Sequence, residues 1–470
     1  MSGQAEMIAA VRAELGERAV VTDPREIEPW LTDWRGRWQG RSPALLQPAS
    51  TEEVAAVVRL AAQHGVPLVP QGGNTSMVGG ATPPADGGGM LLSLRRMNRI
   101  RALAADHAVV EAGVILQTLH AAAAERGARF PLTLGSRGSA TVGGLAATNA
   151  GGTQVLRFGT MRRLVLGVEA VLADGSVCDG LSGLRKDNRG YDLGQLLIGS
   201  EGTLGIITAL NLQLVPAVAA RAVAWVGLAD PQAGLDLLRS LQSATDRVEA
   251  FEVLPEDSLA RVLEHIPGTR RPLAGAHPWH ALIELTASDA DAEPPATTLE
   301  RLLGEALERG LIEDAIISGS DAQADAFWRI RESISEAERA IGPAAQHDIS
   351  VPVDAMPRFM VEAAAQVERA FPGTHASGFG HLGDGNIHFH VRAPVGAGPE
   401  WLEREAPAAT RMVHDLVTAA GGSISAEHGI GQMKRDELAR LLPPARLAAM
   451  KAIKAALDPK GILNPGKLLD

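Results

Sequence analysis

Three glycine-rich blocks constrain the fold of this chain more than any other feature of its sequence. They read QGGNTSMVGG at 71–80, PLTLGSRGSATVGGLAATNAGG at 131–152 and IGSEGTLGIIT at 198–208. Glycine allows tight turns and brings bare backbone N–H groups up to a ligand, as phosphate-cradling loops do. The first block alone is equally compatible with a plain wide turn. Three such loops on one scaffold favour a long, flat, phosphate-bearing cofactor.

The order of elements around the first block excludes the common nucleotide folds. Ser50 and Glu53 form a capping-box pattern, the apolar stripe 54–61 predicts a helix, and Gly65 can cap its end. A short buried strand is predicted at 66–70, so the order is helix, strand, glycine loop. Dinucleotide-binding and Walker loops require strand, loop, helix, and their motifs are absent from this block.

Size and composition predict a soluble protein of two or three domains. The chain has 470 residues, 46% of them hydrophobic and 21% charged, which is the balance of a globular protein. Its net charge of −11 argues against nucleic acid or an anionic membrane as partner. The single cysteine, Cys178, excludes internal disulfides and cysteine-type metal sites. We find no signal-peptide core and no transmembrane run, and therefore expect a cytoplasmic protein.

The stretch 375–391, HASGFGHLGDGNIHFHV, holds four of the 13 histidines. Asn386, His388 and His390 are spaced by two, so in a strand their side chains lie on one face. His381 is expected on a glycine-rich loop just upstream, close enough to fold back onto that face. A lone histidine is more often a solvated side chain, but this cluster predicts a metal site, provided that a carboxylate joins it.

One candidate for that carboxylate lies downstream. Glu427 stands in the segment SISAEHGIG, and His428 follows it. Two histidines and one carboxylate leave open positions on a metal, which is typical of a catalytic site. From the residues alone, a metallohydrolase that activates water remains an alternative to a redox enzyme.

The second half of the chain alternates short strands with helices, which favours a separate α/β domain beginning near residue 218. Arg331 and Ser335 are expected to share one helix face, because they are four residues apart. The predicted strands are 225–228 and 281–285, and the predicted helices are 234–244, 297–309 and 321–341.

The chain resembles the vanillyl-alcohol oxidase type of flavoprotein in its three glycine-rich blocks, its GHLGDGN-x-H run and its S-x-E-H-G motif. Within that type it is most similar to the D-2-hydroxyacid dehydrogenases, the branch of D-2-hydroxyglutarate and FAD-linked D-lactate dehydrogenases. The resemblance implies an α+β fold, with a two-lobed FAD-binding domain, an α/β cap domain and a C-terminal tail that returns to the flavin. The expected bounds are a helical N-terminal segment 1–45, the FAD-binding domain 46–217, the cap with substrate and metal sites 218–455, and the tail 456–470.

The resemblance implies FAD as cofactor, with the pyrophosphate in the first loop and the second loop running along the molecule. Relatives with covalent flavin carry a histidine in the first loop, where this chain has Asn74, Thr75 and Ser76, so we expect noncovalent FAD. The residues assigned to FAD are Gln71, Gly72, Gly73, Asn74, Thr75, Gly79, Gly80, Pro131, Gly135, Ser136, Thr141, Gly143, Gly144, Asn149, Gly151, Gly202, Ile206, Ile207 and Asn464.

A metal centre is also implied by the resemblance. It assigns one divalent metal, with zinc as the preferred ion, to His381, His388 and Glu427. His428 is assigned as the proton acceptor and as a substrate contact, and Arg331 as the group that grips the substrate carboxylate.

Three further residues are assigned to the substrate. Ser335 falls where the family has a threonine near its substrate arginine. Gln346 stands in place of an expected lysine, and His390 in place of the asparagine of the glutarate type. His390 could bind the metal instead. Since Gln346 removes a charge that a second carboxylate would want, the identity of the 2-hydroxy acid stays open.

The expected activity is oxidation of a D-2-hydroxy acid, such as D-2-hydroxyglutarate or D-lactate, to the 2-oxo acid. The substrate would chelate the metal, and its C2 hydrogen would pass as hydride to flavin N5. Electrons would then reach a separate acceptor, an electron-transfer flavoprotein or a quinone pool. A glycolate oxidase-type flavin subunit of a larger complex is the alternative, and a homodimer stays open.

Overall fold

The structure, a computed structural model, describes residues 3–184 and 186–469, and the chain divides into two compact units. Unit 1 comprises Met1–Gly152, Gly159–Ala217 and Glu427–Asp470, and unit 2 comprises Thr153–Phe158 and Val218–Ala426. The sequence places the return to the first domain at residue 456, whereas here it begins at Glu427. The N-terminal segment 1–45 is part of unit 1.

Unit 1 has two main sheets and one short strand pair. Its strands are β1 Val20–Val21, β2 Leu45–Leu46, β3 Leu68–Gln71, β4 Met90–Ser93, β5 Ile100–Leu103, β6 His107–Glu111, β7 Ala128–Arg129, β8 Val165–Val171, β9 Val177–Asp179, β10 Ile206–Gln213 and β11 Val215–Pro216. The first sheet has the order β1-β2-β4-β3, with β4 parallel to both neighbours. The second, β5-β6-β10-β8-β9, is antiparallel, and β7 pairs with β11. The two sheets agree with the expected two lobes.

The helix before the first glycine block forms as its caps predict. Ser50 Oγ accepts a hydrogen bond from the backbone N–H of Glu53 at 3.2 Å, and Gly65 ends the helix with φ of 63°. The helices of unit 1 are Gly3–Leu15, Pro24–Ile27, Thr51–His64, Leu116–Ala124, Val142–Thr148, Met161–Leu164, Leu193–Leu197, Arg435–Leu441 and Pro444–Leu457, with 3-10 turns at Glu17–Ala19 and Glu28–Trp30.

Unit 2 is built on one seven-stranded sheet, in which every pairing is antiparallel. Its strands are β12 Ala220–Leu228, β13 Val248–Pro255, β14 Trp279–Ala287, β15 Asp314–Ile317, β16 Ala344–Ser350, β17 His375–His381 and β18 Asn386–Arg392, in the order β15-β12-β14-β13-β17-β18-β16. Its helices are Val155–Phe158, Pro231–Ala244, Glu256–His265, Pro295–Glu308, Asp321–Glu332, Ile334–Ile341, Met356–Ala370, Trp401–Arg404 and Ala406–Ala419, with a 3-10 turn at Val353–Ala355.

The two faces of this sheet differ in what they bury. On β18, the alternation of side chains places Ile387, Phe389 and Val391 in the larger apolar core, under helices such as 356–370. The opposite face packs a second core against helices 256–265, 321–332 and 334–341. Asn386, His388 and His390 alternate with the first set, so they belong to this second face, as the sequence predicts.

Two local predictions need correction. The helix expected over 321–341 is interrupted at Ser333, so Arg331 and Ser335 lie on successive helices and not on one helix face. His381 is the last residue of β17 and not part of a loop. A Cβ on Gly380 would lie 2.2 Å from the carbonyl oxygen of Asn386, so glycine allows β17 and β18 to pair up to this histidine.

Among the described residues, no helix combines the length and apolar character that a membrane crossing requires.

Candidate active site

Phe379 contributes a buried aromatic ring to the predicted site in unit 2. Its side chain is 1% exposed, and its ring centroid lies 5.2 Å from those of His388 and His390. The guanidinium carbon of Arg331 stands 5.0 Å from the same centroid, a cation–π distance. His381 follows on the same strand, 5.6 Å from His388 between ring centroids. The fold therefore gathers three of the predicted side chains around the Phe379 ring and places His381 beside one of them.

Glu252 on β13 joins two of those side chains. Its Oε2 accepts a hydrogen bond from Arg331 Nε at 2.7 Å, and its Oε1 lies 2.5 Å from His381 Nδ1. The side chain of Glu252 is fully buried, and Arg331 and His381 are each 8% exposed. Burial alone raises the pKa of Glu252, but its interactions with Arg331 and His381, including the hydrogen bonds from both, outweigh burial and bring the pKa to about 2. Glu252 is therefore a carboxylate acceptor at neutral pH.

Arg331 keeps one hydrogen-bonding edge for a ligand. Its Nη2 is buried and has no hydrogen-bond partner among the described residues. An unsatisfied buried donor on a charged group is costly, so a bound carboxylate would recover that free energy. Ser335, assigned as its neighbour from the sequence, is partly buried on the next helix.

His390 lies beside a second buried carboxylate, that of Glu338. Its Nδ1 lies 3.9 Å from Glu338 Oε2, which also accepts a hydrogen bond from Arg392 Nη2 at 2.5 Å. Arg261 donates to the other oxygen of Glu338. Burial raises the pKa of Glu338, but His390 and the two arginines bring it to about 2. This network favours a polar role of His390 over metal ligation.

The edge strand β16 supplies the remaining polar side chains of this face. Gln346 pairs directly with His390, and Asp348 pairs directly with His388. Asp348 is 3% exposed, and its Oδ1 accepts a hydrogen bond from Asn386 Nδ2 at 3.0 Å. This hydrogen bond joins Asn386 on β18 to Asp348 on β16.

The histidine pair suits a metal such as zinc. His381 and His388 offer ring nitrogens within 4.8 Å of each other. Because Nδ1 of His381 faces a carboxylate, which only accepts, it carries the proton and leaves Nε2 as the ligand atom. Glu427 and His428 open the last segment of unit 1, directly after Ala426 in the chain, and both are partly buried.

The first and second glycine blocks of unit 1 lie against each other. A Cβ on Gly72 would stand 2.2 Å from Thr141 Oγ1, and one on Gly73 would stand 1.9 Å from the carbonyl oxygen of Ser139. The hydroxyl of Thr141 is buried and has no hydrogen-bond partner among the described residues. A bare backbone beside an unsatisfied hydroxyl fits a ligand with acceptor oxygens, such as the pyrophosphate of FAD.

Several residues assigned to FAD hold the loops together with their own side chains. Gln71 Nε2 donates to the carbonyl oxygens of Trp30 and Ala81, at 3.1 and 2.9 Å. Asn74 Nδ2 donates to Thr32, and Asn149 Oδ1 accepts from the backbone N–H of Arg162. Among the other residues assigned to FAD, Gly143 packs on Ala112, and Gly202 packs on Pro70. Strand β10 begins with Ile206 and Ile207. The remaining ones lie in or beside the glycine loops, namely Thr75, Gly144 and Gly151, or precede Thr141 on the chain, namely Pro131, Gly135 and Ser136.

Asn464 links the first and third glycine blocks. Its Nδ2 donates to the carbonyl oxygens of Gly80 and Glu201, at 3.0 and 2.7 Å. The carboxylate of Glu201 accepts backbone N–H bonds from Ile430 and Gly431, both at 2.7 Å. Burial raises the pKa of Glu201. The same contacts bring residues 430–431 into unit 1, ahead of the predicted tail.

The sequence did not predict four buried residues near these sites, Glu252, Glu338, Phe379 and Lys467. Lys467 is 2% exposed, and burial lowers its pKa to about 8. The detectable signal was strongest for Glu252, because it is one of two charged residues, with Glu249, that interrupt the otherwise apolar run VEAFEVLP of β13. The other three look ordinary in sequence, since only tertiary contacts give them their surroundings.

Comparison with known proteins covers both units. The family of FAD linked oxidases, C-terminal domain, matches residues 218–468, and the FAD binding domain matches residues 42–180.

The chain is 38% identical over 460 residues to a mitochondrial D-2-hydroxyglutarate dehydrogenase of Arabidopsis thaliana, covering 97% of this chain and 80% of that protein. It is 37% identical over 451 residues to a D-2-hydroxyglutarate dehydrogenase of Xanthomonas citri, covering 96% and 94%. A putative mitochondrial D-lactate dehydrogenase of Schizosaccharomyces pombe is 34% identical over 458 residues, covering 95% and 85%.

Solved structures share the architecture at low identity. A p-cresol methylhydroxylase with bound substrate has a TM-score of 0.73 at 18% identity, covering 100% of this chain and 97% of that one. A 4-ethylphenol oxidase from Gulosibacter chungangensis has a TM-score of 0.72 at 20% identity, covering 99% and 97%. At such identity the likeness concerns the fold alone.

Proposed function

Since the chain belongs to the FAD-linked oxidases and has the vanillyl-alcohol oxidase-type α+β fold, we propose that this FAD-dependent oxidoreductase oxidises a D-2-hydroxy acid to the 2-oxo acid. The observation that carries the substrate class is the position of Arg331 beside His381, through the shared carboxylate of Glu252. A guanidinium next to two histidines that could bind a metal suits a molecule with a carboxylate adjacent to a hydroxyl.

Arg331 binds the substrate carboxylate in this proposal. Its Nε is held by Glu252, which fixes the plane of the guanidinium, and the buried Nη2 is directed to the ligand. Phe379 supports the face of the guanidinium and excludes water from that side. Gln346 and His390 form the substrate-binding surface on strands β16 and β18.

His381, His388 and Glu427 are the proposed ligands of one divalent metal, with zinc preferred because imidazole and carboxylate are its usual partners. A metal bound there supplies a Lewis acid that makes the C2 hydroxyl of the substrate more acidic. His428 accepts the hydroxyl proton as general base, and its imidazole is suited to that role near neutral pH.

Noncovalent FAD is the proposed redox cofactor, held by the backbone of Gly72 and Gly73 and by the Thr141 hydroxyl. Bound FAD supplies the two-electron acceptor for the oxidation. We propose that a separate acceptor, an electron-transfer flavoprotein or a quinone, then takes the electrons, and that the enzyme acts in the cytoplasm.

An anaerobic bleaching screen tests the proposal. Purified protein is mixed with D- and L-lactate, D- and L-2-hydroxyglutarate, D-malate and glycolate, and the flavin absorbance is followed. We expect flavin absorbance in the purified protein and its bleaching by at least one D-2-hydroxy acid. Reduction by L-enantiomers alone, or a colourless protein that binds no added FAD, would refute the proposal.

A further inference from the structure

We infer that Glu252 is a positioning residue that serves the metal centre and the substrate-binding arginine at the same time. The inference rests on the proposed function, which assigns His381 to the metal and Arg331 to the substrate carboxylate. None of the sequence motifs includes this glutamate. Its role follows from the two hydrogen bonds that its two oxygens make in opposite directions.

The first bond orients a metal ligand. His381 Nδ1 lies 2.5 Å from Glu252 Oε1, and the carboxylate can only accept a hydrogen bond. The proton of the neutral imidazole is therefore held on Nδ1, and the lone pair is on Nε2. A carboxylate in this position fixes the ring and increases the basicity of the ligand nitrogen.

The second bond orients the substrate-binding cation. Arg331 Nε donates to Glu252 Oε2 at 2.7 Å, and the guanidinium stacks over Phe379. These two contacts restrict the rotation of the guanidinium and leave its buried Nη2 without a hydrogen-bond partner among the described residues. Because both partners bind one fully buried side chain on β13, that side chain positions the metal ligand and the arginine relative to each other.

A carboxylate is required at this position because both of its bonds are accepted. In Glu252→Gln, the amide oxygen can accept from either Arg331 or His381, while the amide NH₂ faces the other donor. Either one of the two residues turns away, or His381 accepts from the amide at Nδ1 and carries its proton on Nε2, which removes the lone pair meant for the metal. An aspartate in its place keeps two acceptor oxygens but shortens the side chain by one methylene, so we expect it to restore part of the lost function.

Glu249 gives a matched control on the same strand. It is 2% exposed, accepts a hydrogen bond from Thr286 Oγ1 at 2.6 Å, and pairs with Arg157 at 3.5 Å. Glu249→Gln therefore tests loss of a buried carboxylate of β13 without touching His381 or Arg331.

The test measures zinc affinity of the FAD-loaded full-length protein by competition with a chromogenic chelator. We expect about 10- to 100-fold weaker zinc binding in Glu252→Gln, wild-type binding within about twofold in Glu249→Gln, and an intermediate value in Glu252→Asp. The visible absorption of the cobalt-substituted protein should change in Glu252→Gln and not in Glu249→Gln, because only the first alters a ligand. Flavin content reports that each variant has folded, and Glu252→Asp carries the comparison if Glu252→Gln is not recovered.

Two failures can be told apart. If the wild type binds zinc and Glu252→Gln binds it equally well with an unchanged cobalt spectrum, the inference is wrong and the proposed function stands. If the wild type itself binds no zinc, the metal assignment of the proposed function fails, and the inference fails with it.

Discussion

Gln346 lies directly opposite His390 in the antiparallel pairing of β16 with β18. Both are positions, assigned to the substrate, at which the sequence departs from the D-2-hydroxyglutarate type that it resembles. They are 44 residues apart in the chain and neighbours in the sheet, so they alter one small surface together.

A charge introduced at that surface should change substrate preference. In Gln346→Lys, the added ammonium can pair with a second carboxylate, so the kcat/KM ratio of D-2-hydroxyglutarate to D-lactate should rise by about tenfold. Steady-state kinetics with an artificial electron acceptor provide the measurement. Gln346→Met, similar in length and uncharged, should leave the ratio unchanged. An equal effect of both substitutions would exclude a charge-based mechanism.

The geometry of Arg331 should matter more than its charge. Arg331→Lys keeps the cation but cannot both hold Glu252 through Nε and offer a second nitrogen to substrate. We expect kcat/KM to fall by about 100-fold, mainly through KM, with unchanged flavin content. Arg329→Lys is the control, because Arg329 lies on the same helix and its side chain donates to the carbonyl oxygen of Pro267 instead of to Glu252. Comparable losses in both variants would point to helix damage.

The metal ligands should be dispensable for FAD binding and required for turnover. His381→Ala and Glu427→Ala should each abolish turnover and leave the FAD absorbance in place, since FAD is assigned to other residues. His375→Ala serves as the control on β17, because His375 is a half-exposed partner of Asp257 and Glu368. Near-normal activity of wild-type enzyme after removal of metal by chelation would contradict the metal assignment.

Glu338 should stabilise the protein in a pH-dependent manner. Its pKa is lowered to about 2 in the folded protein, against 4.5 for an ordinary glutamate, so its contribution is complete above about pH 5 and is lost as the pH falls towards 2. Glu338→Gln should cost about 3 kcal/mol of unfolding free energy at pH 7, because Arg261 and Arg392 lose their common partner. Urea unfolding at pH 7, 4 and 3 should show the gap between variant and wild type narrowing with falling pH. A gap that stays constant would mean that the carboxylate charge is not responsible.

Close packing of the first two glycine blocks should be required for FAD binding. Gly73→Ala places a methyl group 1.9 Å from the carbonyl oxygen of Ser139, so the loop must move. We expect a substantial loss of bound FAD, measured by the ratio of flavin to protein absorbance. Gly304→Ala, where the new methyl group meets nothing within 4 Å, should retain the cofactor. Full FAD occupancy in Gly73→Ala would show that this loop adapts.

Local sequence patterns predicted the elements well, because they depend on short-range physics. The helix that begins after Ser50 has its cap and its apolar stripe written in neighbouring residues, and the alternation in β18 separates histidines from core residues. The continuous helix over 321–341 was wrong at Ser333, where the residues on either side have helical character and tertiary packing decides the break.

The sequence by itself determined the cofactor class and the α+β architecture, because ordered motifs carry them, and the site residues that it assigns stay predictions. Only the tertiary structure decided which side chains share a partner. Glu252 is 79 residues from Arg331 and 129 from His381 in the chain, and no local pattern records that one carboxylate meets both. Such contacts depend on how β13 and β17 pair and on which buried charges must be neutralised, and these are properties of the folded sheet.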